Sequence, residues 1–299
     1  MTTGDTTTAT LKNPVEQYPK PPFPAQEQDL PGLETKMQPR SDHGETSYKG
    51  SGKLTGRKAL ITGGDSGIGK AVAIAFAREG ADVLISYLNE DEDAKDTMRL
   101  VQEAGRKAVL VPGDISEEAH CKSLIERTVK ELGGIDILVN NAAFQESHKT
   151  LQEITSEEWD YTFRTNIYAM FYLCKAAEPH LKPGATIVNT SSVNAYKPSP
   201  NLLAYATTKG AIQNFTAGLA QMLAEKGIRV NCVAPGPIWT PLIPASFEGE
   251  KVKNFGQDTP LRRAGQPAEL APIFVLLASS DSSYMSGSTV QVTGGTPTI

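Results

Sequence analysis

The stretch TGGDSGIG, from Thr62 to Gly69, decides the fold of this chain. It follows the apolar run KALIT (58–62), which is typical of a short buried strand, and it leads into a helical pattern over 68–79. Glycines at this spacing allow a tight turn, a close approach of the backbone to phosphate, and close packing of helix on strand. Free N–H groups at the start of the helix attract phosphate. An isolated glycine motif would be an ordinary turn, but this context predicts a βαβ unit that binds a dinucleotide pyrophosphate.

The alternation of strand and helix continues to the end of the chain. Six further strands are predicted at ADVLISY (81–87), KAVLVPGD (107–114), IDILVNN (135–141), ATIVNTSS (185–192), IRVNCVAP (228–235) and STVQVTGG (288–295). Helical patterns occupy 91–104, 116–132, 156–181, 203–225 and 267–278. Such alternation is typical of a parallel sheet with helices on both faces. We therefore predict one α/β domain over 55–299, a doubly wound, Rossmann-type sheet of seven parallel strands.

Residues 1–54 differ in composition from the rest. Seven of the 20 prolines lie between Pro14 and Pro39, and so many prolines prevent regular helix or sheet. We expect an extended N-terminal arm. A purely disordered tail would have fewer apolar and aromatic anchors than this arm, which has Val15, Tyr18, Phe23, Leu30 and Leu33. These anchors favour docking, for which we expect a neighbouring subunit; the alternative is a solubilising tail or linker.

Composition excludes several classes of function. The formal net charge of -5 provides no basic surface, so we expect no nucleic-acid partner. No apolar run reaches the roughly 20 residues that span a bilayer, and MTTGDTTTAT (1–10) does not resemble a secretory signal. Cys121, Cys174 and Cys232 are odd in number and far apart, which favours buried thiols over a disulfide framework or a metal site. We expect a cytoplasmic protein without a metal.

A second group of residues suits proton transfer. Tyr205 and Lys209 lie in YATTK, one helical turn apart on one face, and Ser192 ends a predicted strand. We expect the Lys209 ammonium, together with the positive charge of an oxidised nicotinamide, to lower the tyrosine pKa from about 10, so that Tyr205 can exchange a proton with an alcohol or a carbonyl. Ser192 can hydrogen-bond the same oxygen. A Tyr–Lys pair alone is usually an ordinary helix face, and this pair is informative because it occurs together with the glycine turn, Asn166 and Ser192 in the expected order.

Asn166 is an amide in an apolar helical segment, NIYAMFYLC, where burial without partners is unfavourable. It could hold a water in a proton relay to Lys209. The alternative is a structural asparagine with its hydrogen bonds satisfied.

Other polar residues follow the predicted strands. Asp114 could accept a hydrogen bond from the adenine amino group or cap the helix that begins near Ser116.

The contact with the adenosine ribose should follow the second strand, at Tyr87-Leu88-Asn89-Glu90, where there is neither the usual aspartate nor an arginine. Asp65 and Glu90 would repel the 2′-phosphate of NADP. NAD is therefore favoured, and NADP remains possible.

These motifs together resemble those of the short-chain dehydrogenase/reductase family. TGGDSGIG is similar to the family's TGxxxGxG, NNAA (140–143) to its NNAG, and PGPIWT (235–240) to its Pro-Gly loop; Ala143 replaces the usual glycine. The resemblance covers about residues 55–299 and implies that Asn166, Ser192, Tyr205 and Lys209 are catalytic. The cofactor contacts that the motifs predict are Gly63, Asp65, Ser66, Gly67, Ile68, Gly69, Tyr87, Leu88, Asn89, Asp114, Ile115, Asn141, Ala142, Ala143, Tyr205, Lys209, Pro235, Gly236, Ile238 and Thr240.

A narrower resemblance lies in QYPKPPFPAQ (17–26) and APGPIWTPLIPASF (234–247). Both are similar to segments of the family's bacterial general-stress branch and of its plant glucose-and-ribitol-dehydrogenase-like branch. That resemblance implies a homotetramer, a lid over about residues 237–258, and substrates among aldehydes, sugars or polyols.

The predicted function is hydride transfer between NAD(P) and a small alcohol, polyol, aldehyde or ketone. One alternative is a nucleotide-sensing protein of the same fold with little turnover, which would not need all four catalytic residues. A sugar-nucleotide epimerase is another, but only about 60 residues follow the Pro-Gly loop, too few for the usual substrate domain.

Overall fold

The computed structural model describes residues 11–298. The expectation about MTTGDTTTAT and the first ten residues of the arm therefore lie outside the described residues. The strands within the described range are β1 (Lys58–Thr62), β2 (Asp82–Tyr87), β3 (Ala108–Pro112), β4 (Ile137–Asn140), β5 (Thr186–Thr190), β6 (Arg229–Pro235) and β7 (Thr289–Val292). They form one parallel sheet in the order β3–β2–β1–β4–β5–β6–β7, which confirms the predicted seven-stranded fold.

The α-helices in the described chain cover both faces of this sheet. They are α1 (Gly67–Arg78), α2 (Asp91–Glu103), α3 (Glu118–Leu132), α4 (Ser156–Phe163), α5 (Ala169–Ala177), α6 (Leu203–Leu223), α7 (Leu242–Ser246), α8 (Gly249–Lys253) and α9 (Pro267–Ala278). Helices α1, α2 and α9 pack on one face, and α3, α5 and α6 pack on the other. Adjacent residues of β1 are buried in opposite layers, Leu60 in one and Ile61 in the other, as expected for a central parallel strand.

The prediction of one long helix over 156–181 is wrong in one respect, because the helix is interrupted. A π-helical turn, Arg164–Tyr168, separates α4 from α5, and a 3₁₀ turn, Glu178–His180, follows α5. The side chain of Asn166 lies in the π turn and bonds outside the helix, so it supports a local change of winding. Pro179 lacks the N–H that a further α-helical turn would need.

The order of the strands places a crevice at the carboxyl ends of β1 and β4. Chain connections run outward in opposite directions from these two neighbours, toward β3 on one side and β7 on the other. Ligands of open α/β sheets bind at such a switch point. The three cysteines are buried thiols, as expected, and no helix in residues 11–298 combines the length and apolarity needed to cross a membrane.

The described part of the arm packs on its own chain. Phe23 and Met37 are buried in a small apolar cluster with Trp239 and Phe247 of the 237–258 segment. The 237–258 segment of the same chain therefore supplies an apolar partner for Phe23 and Met37. Docking of the arm on a neighbouring subunit stays a prediction, as does the lid over 237–258.

Candidate active site

A cavity of about 620 Å³ opens at the carboxyl ends of the strands. Its walls come from the glycine turn, the loop after β4, the end of β5, helix α6 and the 237–258 segment. The predicted site residues that line it are Gly63, Asp65, Ser66, Gly67, Ile68, Tyr87, Leu88, Asp114, Ile115, Asn141, Ala142, Ala143, Ser192, Tyr205, Lys209, Pro235, Gly236, Ile238 and Thr240.

Three predicted site residues are not brought to the cavity wall: Gly69, Asn89 and Asn166. Gly69 lies behind the turn, where a Cβ would stand 1.8 Å from the carbonyl oxygen of Gly63. Asn89 is exposed to solvent. Gly69 therefore permits close helix packing rather than direct contact with a ligand.

The glycine turn is tied to the loop after β4 by hydrogen bonds. The Thr62 hydroxyl accepts from the backbone N–H groups of Asn141 and Ala142 at 3.0 and 3.1 Å. The Asn141 amide donates back to the carbonyls of Thr62 and Gly63 at 3.1 and 3.2 Å. Gly63 has φ +60°, and a Cβ there would lie 3.1 Å from the Cα of Ala142. The turn is thus held open toward the cavity by the neighbouring strand's loop.

Asn166 clamps the loop after β4 from the other side. Its Oδ1 accepts from the Phe144 N–H at 2.8 Å, and its Nδ2 donates to the Phe144 carbonyl at 3.0 Å and to the Thr208 hydroxyl at 3.1 Å. These bonds match the structural alternative for this asparagine. A water relay from Asn166 to Lys209 stays a prediction.

Tyr205, Lys209 and Ser192 come together at the other end of the cavity. The Lys209 ammonium donates to the Thr190 carbonyl at 2.9 Å and lies 5.1 Å from the centroid of the Tyr205 ring. Ser191 anchors helix α6 to this strand end, since its hydroxyl donates to the Lys209 carbonyl at 2.8 Å. The Ser192 hydroxyl accepts from the Asn194 N–H at 3.1 Å and remains on the cavity wall.

Burial dominates the electrostatics of this cluster. It raises the pKa of Tyr205 to about 12, although the Ser192 hydroxyl lowers it, and it lowers the pKa of Lys209 to about 8. The expected lowering of the tyrosine pKa includes the positive charge of an oxidised nicotinamide, and it stays a prediction. At neutral pH Tyr205 carries its proton.

Carboxylates gather at the opposite end, beside Tyr87 and Leu88. Asp65 is 5% exposed, and its burial, followed by the charge of Glu90, raises its pKa to about 7. Asp114 lies nearby on the cavity wall, where its Oδ1 accepts from the Ser116 N–H at 2.8 Å. Helix α3 starts only at Glu118, so Asp114 caps a turn and not the helix.

Two buried hydroxyls favour a polar ligand in this cavity. Ser86 Oγ and Thr190 Oγ1 lie on its wall, and neither has a hydrogen-bond partner among the described residues. Buried polar groups are normally paired. Together with Gly63, Ser66 and Ile68, which line the cavity at the start of α1, they fit an elongated ligand such as a dinucleotide.

Some cavity residues were not predicted. Pro31 comes from the arm, Phe144 and Tyr161 surround the loop after β4, and Ile243, Phe247 and Phe255 come from the lid region. The apolar, proline-rich lid sequence indicated the last group. Pro31 has no local signal, because only the tertiary path of the arm brings it there.

The sheet order and the glycine turn define a Rossmann-type fold. The protein-family model described as enoyl-(acyl carrier protein) reductase matches residues 63–297. The chain belongs to the short-chain dehydrogenase/reductase family.

Two relatives are similar to this chain over most of its length. General stress protein 39 of Bacillus subtilis is 54% identical over 279 residues, 93% of this chain and 97% of that protein, so the alignment extends into the arm. NADPH-dependent aldehyde reductase 1, chloroplastic, of Arabidopsis thaliana is 48% identical over 272 residues, 89% of this chain and 94% of that protein.

A solved structure supports the same assignment. A short-chain dehydrogenase from Burkholderia cenocepacia in complex with NADP superposes with a TM-score of 0.77 and 31% identity, covering 81% of this chain and 98% of its own. The tetramer and the cytoplasmic location stay predictions.

We predict that Gly69→Ala weakens dinucleotide binding by about tenfold or more, because the new methyl group must displace the Gly63 carbonyl. Gly218→Ala is the matched control, since a Cβ on this α6 glycine meets open space. Removing that glycine should stabilise the helix by up to about 1 kcal/mol. Calorimetric titration with NADH and thermal melts measure both effects, and equal affinities in the two variants would contradict the packing role of Gly69.

Proposed function

We propose that this protein transfers a hydride between a nicotinamide dinucleotide and a small aldehyde or ketone, or the corresponding alcohol or polyol, with Tyr205 as general acid and base. The observation that carries the proposal is the meeting of Tyr205 and Lys209, 5.1 Å from ring centroid to ammonium, in the cavity that the glycine turn also lines. A structural Tyr–Lys pair would not need to share a ligand cavity with such a turn.

A bound dinucleotide would contact different groups at the two ends of the cavity. Backbone groups of Gly63, Ser66 and Ile68 at the start of α1 would hold the pyrophosphate. Lys209, Pro235 and Gly236 would surround the nicotinamide end. When bound, the nicotinamide supplies or accepts the hydride.

The protein's own groups then manage the proton. With a pKa raised to about 12, Tyr205 is protonated at neutral pH and can donate to a carbonyl oxygen during reduction. The Ser192 hydroxyl would hydrogen-bond the same oxygen as negative charge develops on it. Lys209, charged below a pKa of about 8, stabilises the phenolate that remains. Oxidation of an alcohol uses the same groups in reverse.

The cavity surface favours a small substrate. Ile243, Phe247 and Phe255 form an apolar wall that excludes water, while Ser192 and Tyr205 present hydroxyls. The name of the Arabidopsis relative, an aldehyde reductase, supports an aldehyde as the carbonyl substrate.

We predict that Tyr205→Phe lowers turnover by about 10²–10⁴-fold, because the ring stays in place while the transferable proton is lost. The dissociation constant for the nucleotide should stay within about twofold, since no phosphate contact changes. Steady-state rates on an aldehyde and polyol panel, with nucleotide titrations, measure both quantities.

Tyr168→Phe, on the exposed surface of the π turn, is the control and should retain full turnover. Near-normal turnover of Tyr205→Phe would rule out its role. Tight nucleotide binding without turnover of any substrate by the unmodified protein would instead favour the nucleotide-sensing alternative.

For the cofactor, we propose a preference for NAD(H) over NADP(H). The support is electrostatic, because Asp65 and Glu90 are buried beside Tyr87 and Leu88, where a 2′-phosphate would bring further negative charge. The NADP named for the Burkholderia structure and the NADPH named for the Arabidopsis relative favour the opposite choice. Direct binding measurements decide between them.

We predict a lower dissociation constant for NAD than for NADP at pH 8, where Asp65 is ionised. The double variant Asp65→Asn, Glu90→Gln should lower the ratio of the NADP to the NAD dissociation constant by about tenfold or more, because it removes the repulsion between these carboxylates and the 2′-phosphate. Glu92→Gln, an exposed acid at the start of α2, is the control and should leave the ratio unchanged. A much lower dissociation constant for NADP in the unmodified protein would overturn the preference.

A further inference from the structure

The N-terminal arm reaches the wall of the nucleotide cavity. Pro31 lines the cavity, and Gly32 lies so close to Pro241, which directly follows the Pro-Gly loop, that a Cβ would stand 2.5 Å from the Pro241 carbonyl oxygen. Thr240, the last residue of that loop, lies against Gly67, where a Cβ would lie 3.1 Å from the threonine Cγ2. The arm, the Pro-Gly loop and the glycine turn therefore form one packed layer beside the cavity.

The same arm holds the lid through Trp239. The Phe23 ring stacks on Trp239 with centroids 4.2 Å apart, and the indole N–H donates to the Pro39 carbonyl at 2.9 Å. Trp239 is fully buried between these contacts. Backbone bonds extend the attachment, since the N–H of Phe23 donates to the Lys253 carbonyl at 2.8 Å and that of Gln28 to the Pro244 carbonyl at 3.0 Å.

A third attachment joins the arm to the start of α1. The Gly67 N–H donates to Glu34 Oε2 at 3.2 Å, and the same oxygen lies 3.1 Å from His43 Nε2. The Glu34 N–H donates to Asp93 of α2 at 2.7 Å. A carboxylate at a helix N-terminus is favoured by the helix dipole, and both Glu34 and His43 are almost fully buried.

Glu34 and His43 each shift the pKa of the other. Burial alone would raise the pKa of Glu34, but hydrogen bonding to His43 outweighs it and leaves that pKa lowered. Burial alone would lower the pKa of His43, but hydrogen bonds to Glu34 and Glu45 leave it raised. Both shifts favour the charged forms, a carboxylate and an imidazolium, and breaking the close contact of such buried partners is unfavourable.

We propose that residues 23–43 form an intrachain clamp that positions the lid and the glycine turn around the nucleotide cavity, with Phe23 and Glu34 as positioning residues. The clamp acts through other groups. Phe23 fixes Trp239, whose neighbours Ile238 and Thr240 line the cavity, and Glu34 fixes Gly67 in the turn. Detaching the arm should therefore loosen the cavity wall without removing any group that touches the ligand, apart from Pro31.

Fluorescence of Trp239 tests the clamp directly. The chain has two tryptophans, and replacing the half-exposed Trp159 by Phe leaves Trp239 as the only emitter. In that background, Phe23→Ala should shift the emission to the red and raise the acrylamide quenching constant about twofold or more. The dissociation constant for NADH should rise on the order of tenfold, because the lid is no longer held over the cavity.

Two further variants make the test specific. Phe23→Leu keeps most of the apolar contact and should restore most of the nucleotide affinity, which a general loss of folding would not allow. Glu16→Ala removes an exposed arm side chain that pairs only with Lys20 among the described residues, and it should change neither readout.

Unchanged quenching and unchanged NADH affinity in Phe23→Ala would overturn the proposal. Increased quenching with unchanged affinity would also overturn it, because the arm would then cover Trp239 without positioning the cavity. Both measurements are made at equilibrium without substrate, so the clamp stands or fails separately from hydride transfer.

Discussion

The hydrogen bonds between the glycine turn and the loop after β4 are the constraint on which the site depends. The Thr62 hydroxyl and the Asn141 amide join the ends of β1 and β4 at the one place where the strand order reverses. Because Gly63 and Gly69 have no side chains, helix α1 can start directly against this junction. The first residues of the helix then line the cavity. On the other side, Asn166 holds the same loop through Phe144 and bonds to Thr208, so that the loop is fixed between the glycine turn and helix α6.

Charge is distributed unevenly along the cavity. Lys209 and the proton of Tyr205 occupy one end, and the buried carboxylates of Asp65 and Glu90 occupy the other. In the proposed function, the positive end would stabilise charge that develops on a substrate oxygen, and the negative end would disfavour a nucleotide with an additional phosphate. The buried pair of Glu34 and His43 lies at the outer side of the same helix N-terminus, so the arm belongs to the electrostatic environment of the turn.

Much of this arrangement could be predicted from the sequence, because the decisive signals are local. Buried parallel strands appear in the sequence as short apolar runs. The motif at Thr62–Gly69 directly follows the first run, and the motif at Tyr205–Lys209 lies in the helix after the fifth. The rest depends on tertiary contacts. The π turn at Asn166 is supported by hydrogen bonds to residues distant in the sequence. The pKa of Tyr205 is raised by burial, which no local motif indicates. Pro31 reaches the cavity through the path of the arm, whose sequence has no periodicity. Asn89 and Gly69 follow the expected spacing, but the fold turns one to solvent and places the other behind the turn.

Isotope transfer tests the central claim, hydride exchange at this cavity, most directly. The protein would be supplied with reduced nicotinamide dinucleotide carrying deuterium at C4 and with an aldehyde that it reduces, and the alcohol would be examined by NMR and mass spectrometry. The account predicts one deuterium on the new carbinol carbon and a solvent-derived proton on the oxygen, with this transfer lost in Tyr205→Phe. An alcohol whose carbinol hydrogen comes from the solvent would contradict it, as would undiminished transfer in the variant.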